Sequence, residues 1–86
     1  MTDRTLILDI ETDGLEAKVI HVCVTKDLDT GEVCFYREPN QLKEKLQQYD
    51  YYVGHNILSF DAPILNKLWE CNLPVNKLRD TLVLSR

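Results

Sequence analysis

The chain has 86 residues, of which 44% are hydrophobic and 28% charged, with a formal net charge of −4. That length holds one small domain, the composition is that of a folded rather than a disordered chain, and no apolar run is long enough to cross a bilayer. The negative charge excludes a protein that grips nucleic acid through a basic face alone, but not a nucleic-acid enzyme whose cations are bound metal.

In chain order, residues 5–11 (TLILDIE) alternate as a strand, with Leu6, Leu8 and Ile10 on one face and Ile7, Asp9 and Glu11 on the other. The opening MTDRTLILDIETDG lacks the plan of a signal peptide. Thr12-Asp13-Gly14 is turn chemistry, and a second strand is expected over 18–26 (KVIHVCVTK). Asp29-Thr30-Gly31 connects it to a third, 32–37, as an antiparallel hairpin. Glu38-Pro39-Asn40 breaks the sheet, and Asn40 is placed to cap a short helix reaching Tyr49, with Leu42 and Leu46 inward.

Tyr51-Tyr52-Val53-Gly54 is a short strand reached through that helix, so it is expected parallel to the first strand and beside it. Ser59 can cap a second helix over 60–71, where Pro63 falls in the first turn and Ile64, Leu65, Leu68 and Trp69 form the apolar stripe. A brief strand near 76–79 leads to Asp80, read as the cap of a helix from Thr81. The expected class is α/β: a mixed sheet of three antiparallel strands followed by parallel ones, with flanking helices. A free-standing chain of this size buries only about 60–65% of its unfolded surface, so its stability margin is thin.

Three cysteines, none in C-x-x-C spacing, give no disulfide framework, and a reducing cytoplasm is the expected compartment. His21 and Cys23 share a strand face and with Cys34 offer three zinc-ligand types, although burial as satisfied core residues is the simpler reading.

Asp9 and Glu11 leave the same face at the C-terminal end of an otherwise apolar strand. Side by side they repel unless a cation stands between them, although two acids at a strand end can simply face solvent. Asp61 follows the fourth strand at the start of the second helix. With the first and fourth strands as parallel neighbours, Asp9, Glu11 and Asp61 converge on the crevice where open α/β sheets place ligands. Three hard oxygen ligands suit Mg²⁺ or Mn²⁺.

Leu8-Asp9-Ile10-Glu11-Thr12 resembles the first motif of the DEDD 3′–5′ exonucleases, and Gly54-His55-Asn56-Ile57-Leu58-Ser59-Phe60-Asp61 resembles the second. Asp80-Thr81-Leu82-Val83-Leu84-Ser85-Arg86 is similar to the segment after the second motif in the proofreading domains of family A DNA polymerases, most of all those of podovirus-type bacteriophages. The resemblance implies a ribonuclease H-like fold and removal of nucleoside 5′-monophosphates from a single-stranded or frayed DNA 3′ end. It implies that Asp9, Glu11 and Asp61 are catalytic and metal-binding, with Glu11 also orienting the attacking water or the terminal 3′-hydroxyl. Two such metals about 3.5–4 Å apart activate a water and stabilise the leaving oxygen during in-line displacement. The resemblance also implies that Thr12 and Leu15 occupy positions that in such proofreading domains lie against the terminal nucleotide, and that Asn56 contacts the substrate near the scissile phosphate. An exposed loop residue (Leu15) and a turn-stabilising one (Asn56) are the competing readings. His55 reads as structural.

Members of that family carry a fourth aspartate, with a Tyr or His four or five residues before it, and no Asp follows Asp80 here. Residues 1–86 are therefore expected to be the first part of an exonuclease domain, lacking its final helices and inactive alone. Its partners would be the rest of an exonuclease or polymerase chain, or a second chain, with no membrane, in the bacterial host cytoplasm if phage-encoded. A non-catalytic nucleic-acid-binding or assembly module of the same fold, and an RNA-directed exonuclease of the same superfamily, remain the alternatives.

Overall fold

The computed structural model describes residues 3–14 and 18–81. Five strands form one sheet: β1 (Thr5–Thr12), β2 (Ile20–Asp27), β3 (Val33–Tyr36), β4 (Tyr51–Gly54) and β5 (Leu78–Asp80). Their order across the sheet is β3-β2-β1-β4-β5. β1 runs antiparallel to β2, and β2 to β3, whereas β4 lies parallel to β1 and β5 parallel to β4. Among the described residues, two α-helices, α1 (Pro39–Leu46) and α2 (Ala62–Leu68), accompany the sheet in an α/β architecture. This is the mixed sheet expected from the residue pattern, with β1 central and flanked by β2 and β4.

The alternation in β1 decides which face is covered. Leu6, Leu8 and Ile10 are buried together with Cys23 of β2, Leu42 and Leu46 of α1, Tyr52 of β4, Leu65 of α2 and Leu78 of β5, in one hydrophobic cluster. Registered opposite faces carry the rest: Ile7 pairs with Lys26 and Val53, and Asp9 with Val24. Asp9 and Glu11 thus stand on the face away from the core, both exposed.

The hairpin between β2 and β3 closes as its turn residues predict. Gly31 adopts φ 77, a left-handed value that favours glycine, and its N–H donates to Asp27 O at 2.8 Å. Asp27 is buried and accepts from Tyr49 Oη at 2.6 Å, Arg4 at 3.2 Å, and the N–H groups of Asp29 (2.9 Å) and Thr30 (3.1 Å). One carboxylate therefore ties the hairpin to residue 4 and to the segment after α1.

Several boundaries differ from the sequence reading. Glu38, not Asn40, is the residue preceding α1; Pro39 opens the helix, where its missing N–H costs nothing. The helix stops at Leu46 rather than Tyr49, because the chain tightens (Gln48 N–H to Lys45 O, Tyr49 N–H to Leu46 O) and turns Tyr49 inward to Asp27. Residues 57–61 form a π-helical turn in front of α2, so Ser59 lies inside that turn and caps nothing. α2 ends at Leu68, after which Glu70 takes φ 53 and Cys71 N–H turns back to Leu65 O at 3.3 Å. Asp80 is the last residue of β5, and the helix expected from Thr81 lies outside the described residues beyond Thr81 itself.

Gly54 ends β4 where two backbones meet. A Cβ there would stand 3.0 Å from Leu8 O and 3.0 Å from Ile57 Cβ. Neither neighbour can swing away, since one is backbone in the central strand and the other is fully buried. Gly54→Ala is expected to cost about 1–3 kcal/mol through overpacking, read as a lower urea midpoint; an unchanged midpoint would show that the turn yields.

Candidate carboxylate site

The C-terminal end of β1 is irregular. Glu11 pairs with Val22 and Thr12 with Ile20, leaving His21 as an extra residue in a bulge. Bulges re-aim side chains and end regular pairing, and this one falls beside the acidic pair. It also separates His21, which is exposed, from Cys23, which is wholly buried, so the two do not share a face as a zinc site requires. Beyond the bulge, Thr12 Oγ1 donates to Gly14 O at 3.0 Å, and Asp13 accepts the N–H groups of Lys18 (2.9 Å) and Val19 (3.2 Å). Those two N–H groups hold the Asp13 carboxyl below its ordinary pKa. Asp13 is a loop anchor that the Thr-Asp-Gly turn signature could have indicated. The hydroxyl of Thr12 is engaged within its own turn, and Leu15 lies outside the described residues.

Asp61 arrives from the other side of β1. Asn56 follows β4 in the left-handed region (φ 64), a conformation asparagine tolerates better than most residues. Its carbonyl accepts from Phe60 N at 2.9 Å, and the Ile57 carbonyl accepts from Ala62 N, closing the wide π-helical turn. The turn buries Ile57 at its start and Asp61 at its end, the latter only 3% exposed. His55 Nδ1 stands 3.2 Å from Thr81 Oγ1, which lies just after β5.

The Asp61 carboxyl is strongly perturbed. Burial and then the nearby Asp9 charge push its pKa up to about 6, the Asp80 charge adds to this, and an N–H from Ile10 opposes it. Its Oδ2 is buried without a hydrogen-bond partner. An orphaned carboxylate oxygen beside a second carboxylate has the donor chemistry of a hard-cation position. Asp9 and Asp61 are thus brought together, with Glu11 exposed on the face that Asp9 shares. Among the described residues, no group of three or more His, Cys, Asp or Glu side chains stands close enough to enclose a metal ion.

Asp80, the last residue of β5, reaches back along the chain. Its Oδ1 accepts from Asn56 N at 2.9 Å and its Oδ2 from Leu58 N at 3.0 Å, so it caps the turn that precedes it by more than twenty residues. No local signal could have shown this.

A cavity of about 450 Å³ lies elsewhere, between α1 and the 70–77 segment, and none of Asp9, Glu11 and Asp61 lines it. Among the described residues no helix is long and apolar enough to cross a membrane.

Neither a protein-family model nor a curated protein matches the sequence. Solved structures do. The chain is similar to the family B DNA polymerase from the hyperthermophilic archaeon Pyrobaculum calidifontis, with a TM-score of 0.63 and 20% identity over 95% of this chain. The match spans 13% of that polymerase chain. The fold is therefore one found within a DNA polymerase of much greater length.

Proposed function

We propose that the chain is a 3′–5′ exonuclease (proofreading) portion of a DNA polymerase, acting on a single-stranded or frayed DNA 3′ end with Mg²⁺ or Mn²⁺. The observation that carries this reading is the buried Asp61 carboxylate, with one oxygen unpartnered and Asp9 beside it. Asp9 and Asp61 would hold the metal, and Glu11, exposed on the same strand, would complete its shell and orient the attacking water. A divalent ion there supplies charge neutralisation for the scissile phosphate and a nucleophile at neutral pH. Thr12 and Leu15 would lie against the terminal nucleotide, and Asn56 near the scissile phosphate. The three ordered motifs favour a phage enzyme of family A as the parent, working in the bacterial cytoplasm, and the remainder of such a chain or a second chain as the partner.

The alternative reading is a non-catalytic nucleic-acid-binding or assembly module of the same fold. Metal binding separates the two readings. Mn²⁺ is expected to broaden the resonances of residues around Asp9 and Asp61, with affinity at least about tenfold weaker in Asp9→Ala and in Asp61→Ala. Binding left unchanged by both substitutions would remove the metal site. Turnover is tested with DNA and RNA strands labelled at the 5′ end, comparing the chain with its Asp9→Ala, Glu11→Ala double variant. Stepwise 3′ shortening lost in the double variant would show that 86 residues already make an enzyme.

A further inference from the structure

We propose that Asp80 is a positioning residue of the carboxylate site: its two oxygens pin the Asn56 and Leu58 amides and so set where the π-helical turn delivers Asp61. This rests on the metal-site reading above for its functional meaning, and on hydrogen-bond geometry for its physical one.

β5 lies next to β4, with Asp80 registered against Gly54, so its carboxylate reaches the chain just as it leaves the sheet. The amides it accepts from, at 2.9 and 3.0 Å, flank the fully buried Ile57. N–H groups at the start of a helical turn have no partner within it, and a carboxylate supplies charge-assisted acceptors for them. Asn56 in the left-handed region and Leu58 inside the turn are thereby held from one point, and Asp61 follows Leu58 within the same turn. A neutral serine or asparagine could accept one of these bonds. Both require two acceptor oxygens, which only a carboxylate offers on so short a side chain. That choice has an electrostatic cost, since the Asp80 charge stands near enough to Asp61 to oppose its ionisation. Retaining a third acid beside an acidic pair makes sense if geometry outweighs repulsion.

The test compares Asp80→Asn and Asp80→Ala with Tyr49→Phe, which removes a hydrogen bond from Asp27 at the opposite end of the sheet. Three quantities are measured in the 86-residue chain by NMR: Mn²⁺ affinity, amide exchange at Asn56 and Leu58, and the Asp61 carboxyl-carbon shift. Asp80→Ala is expected to weaken Mn²⁺ binding and to speed exchange of the two amides, each by at least about tenfold, and to move the Asp61 resonance. Asp80→Asn keeps one acceptor and should recover part of each effect, whereas Tyr49→Phe should lower global stability and change none of the three. Exchange and Asp61 shift unaltered in Asp80→Ala would overturn the proposal, as would equal losses in Tyr49→Phe or an unfolded Asp80→Asn chain. If the unsubstituted chain binds no Mn²⁺, the metal reading fails, and the amide exchange and Asp61 shift alone then uphold or overturn the role of Asp80.

Discussion

Asp61→Asn is expected to stabilise the chain at pH 7 by about 1–2 kcal/mol while abolishing its divalent-metal binding. The Asp61 carboxyl, 3% exposed, has its pKa raised from 3.8 to about 6 by burial first and the Asp9 charge second. Each unit of such a difference corresponds to about 1.4 kcal/mol. The gain is set below the full figure because the amide nitrogen of asparagine would need an acceptor where the Asp61 Oδ2 has found no partner. The folded state holds the proton more tightly than the unfolded chain. The contribution of Asp61 to stability is therefore intact below about pH 4 and lost as pH rises through about 6. Urea midpoints at pH 4 and pH 7 check this: the unsubstituted chain should lose more on going to pH 7 than the asparagine variant does. Equal pH dependence in the two would show that Asp61 ionises freely. A stabilising substitution that removes binding would identify Asp61 as an acid kept for function at the expense of the fold.

The second large effect has the opposite sign. Asp27→Asn is expected to lower the melting temperature at pH 7 by roughly 10 °C. All four of its partners donate: Tyr49 Oη, Arg4, Asp29 N and Thr30 N. An amide nitrogen placed among them has nothing to bond and displaces at least one donor. The Tyr49 hydroxyl first, and the Thr30 amide next, hold the Asp27 carboxyl well below the usual carboxylate range. With its folded pKa depressed, Asp27 contributes stability that is present above about pH 4 and is lost as pH falls further. The difference between the two chains should therefore be full at pH 7 and shrink below about pH 3. Melting curves at the two pH values measure it. A constant difference would mean that the amide fails through packing and not through charge.

Much of this was legible in the residues. The strict alternation of Leu6, Leu8 and Ile10 with Ile7, Asp9 and Glu11 determined the face of β1 and placed both acids away from the core. The Asp29-Thr30-Gly31 turn determined the β2–β3 hairpin, and a strand reached through a helix determined that β4 runs parallel to β1. These signals are local: side-chain period, turn chemistry and connection length each act within a few residues.

The tertiary structure alone decided how the site is finished. Ser59-Phe60-Asp61 reads locally as the start of an ordinary capped helix, yet it folds as a π-helical turn because Ile57 and Asp61 are both drawn under the sheet edge and Gly54 allows the close approach. The carboxylate of Asp80 serves Asn56 and Leu58, more than twenty residues earlier, a connection that no local pattern signals. The bulge opposite Glu11 sets Thr12 and His21 out of the register that alternation predicts. Hydrogen-bond partners far apart in the chain, and the volume left between packed elements, are properties of the assembled sheet; no periodicity along the sequence encodes them.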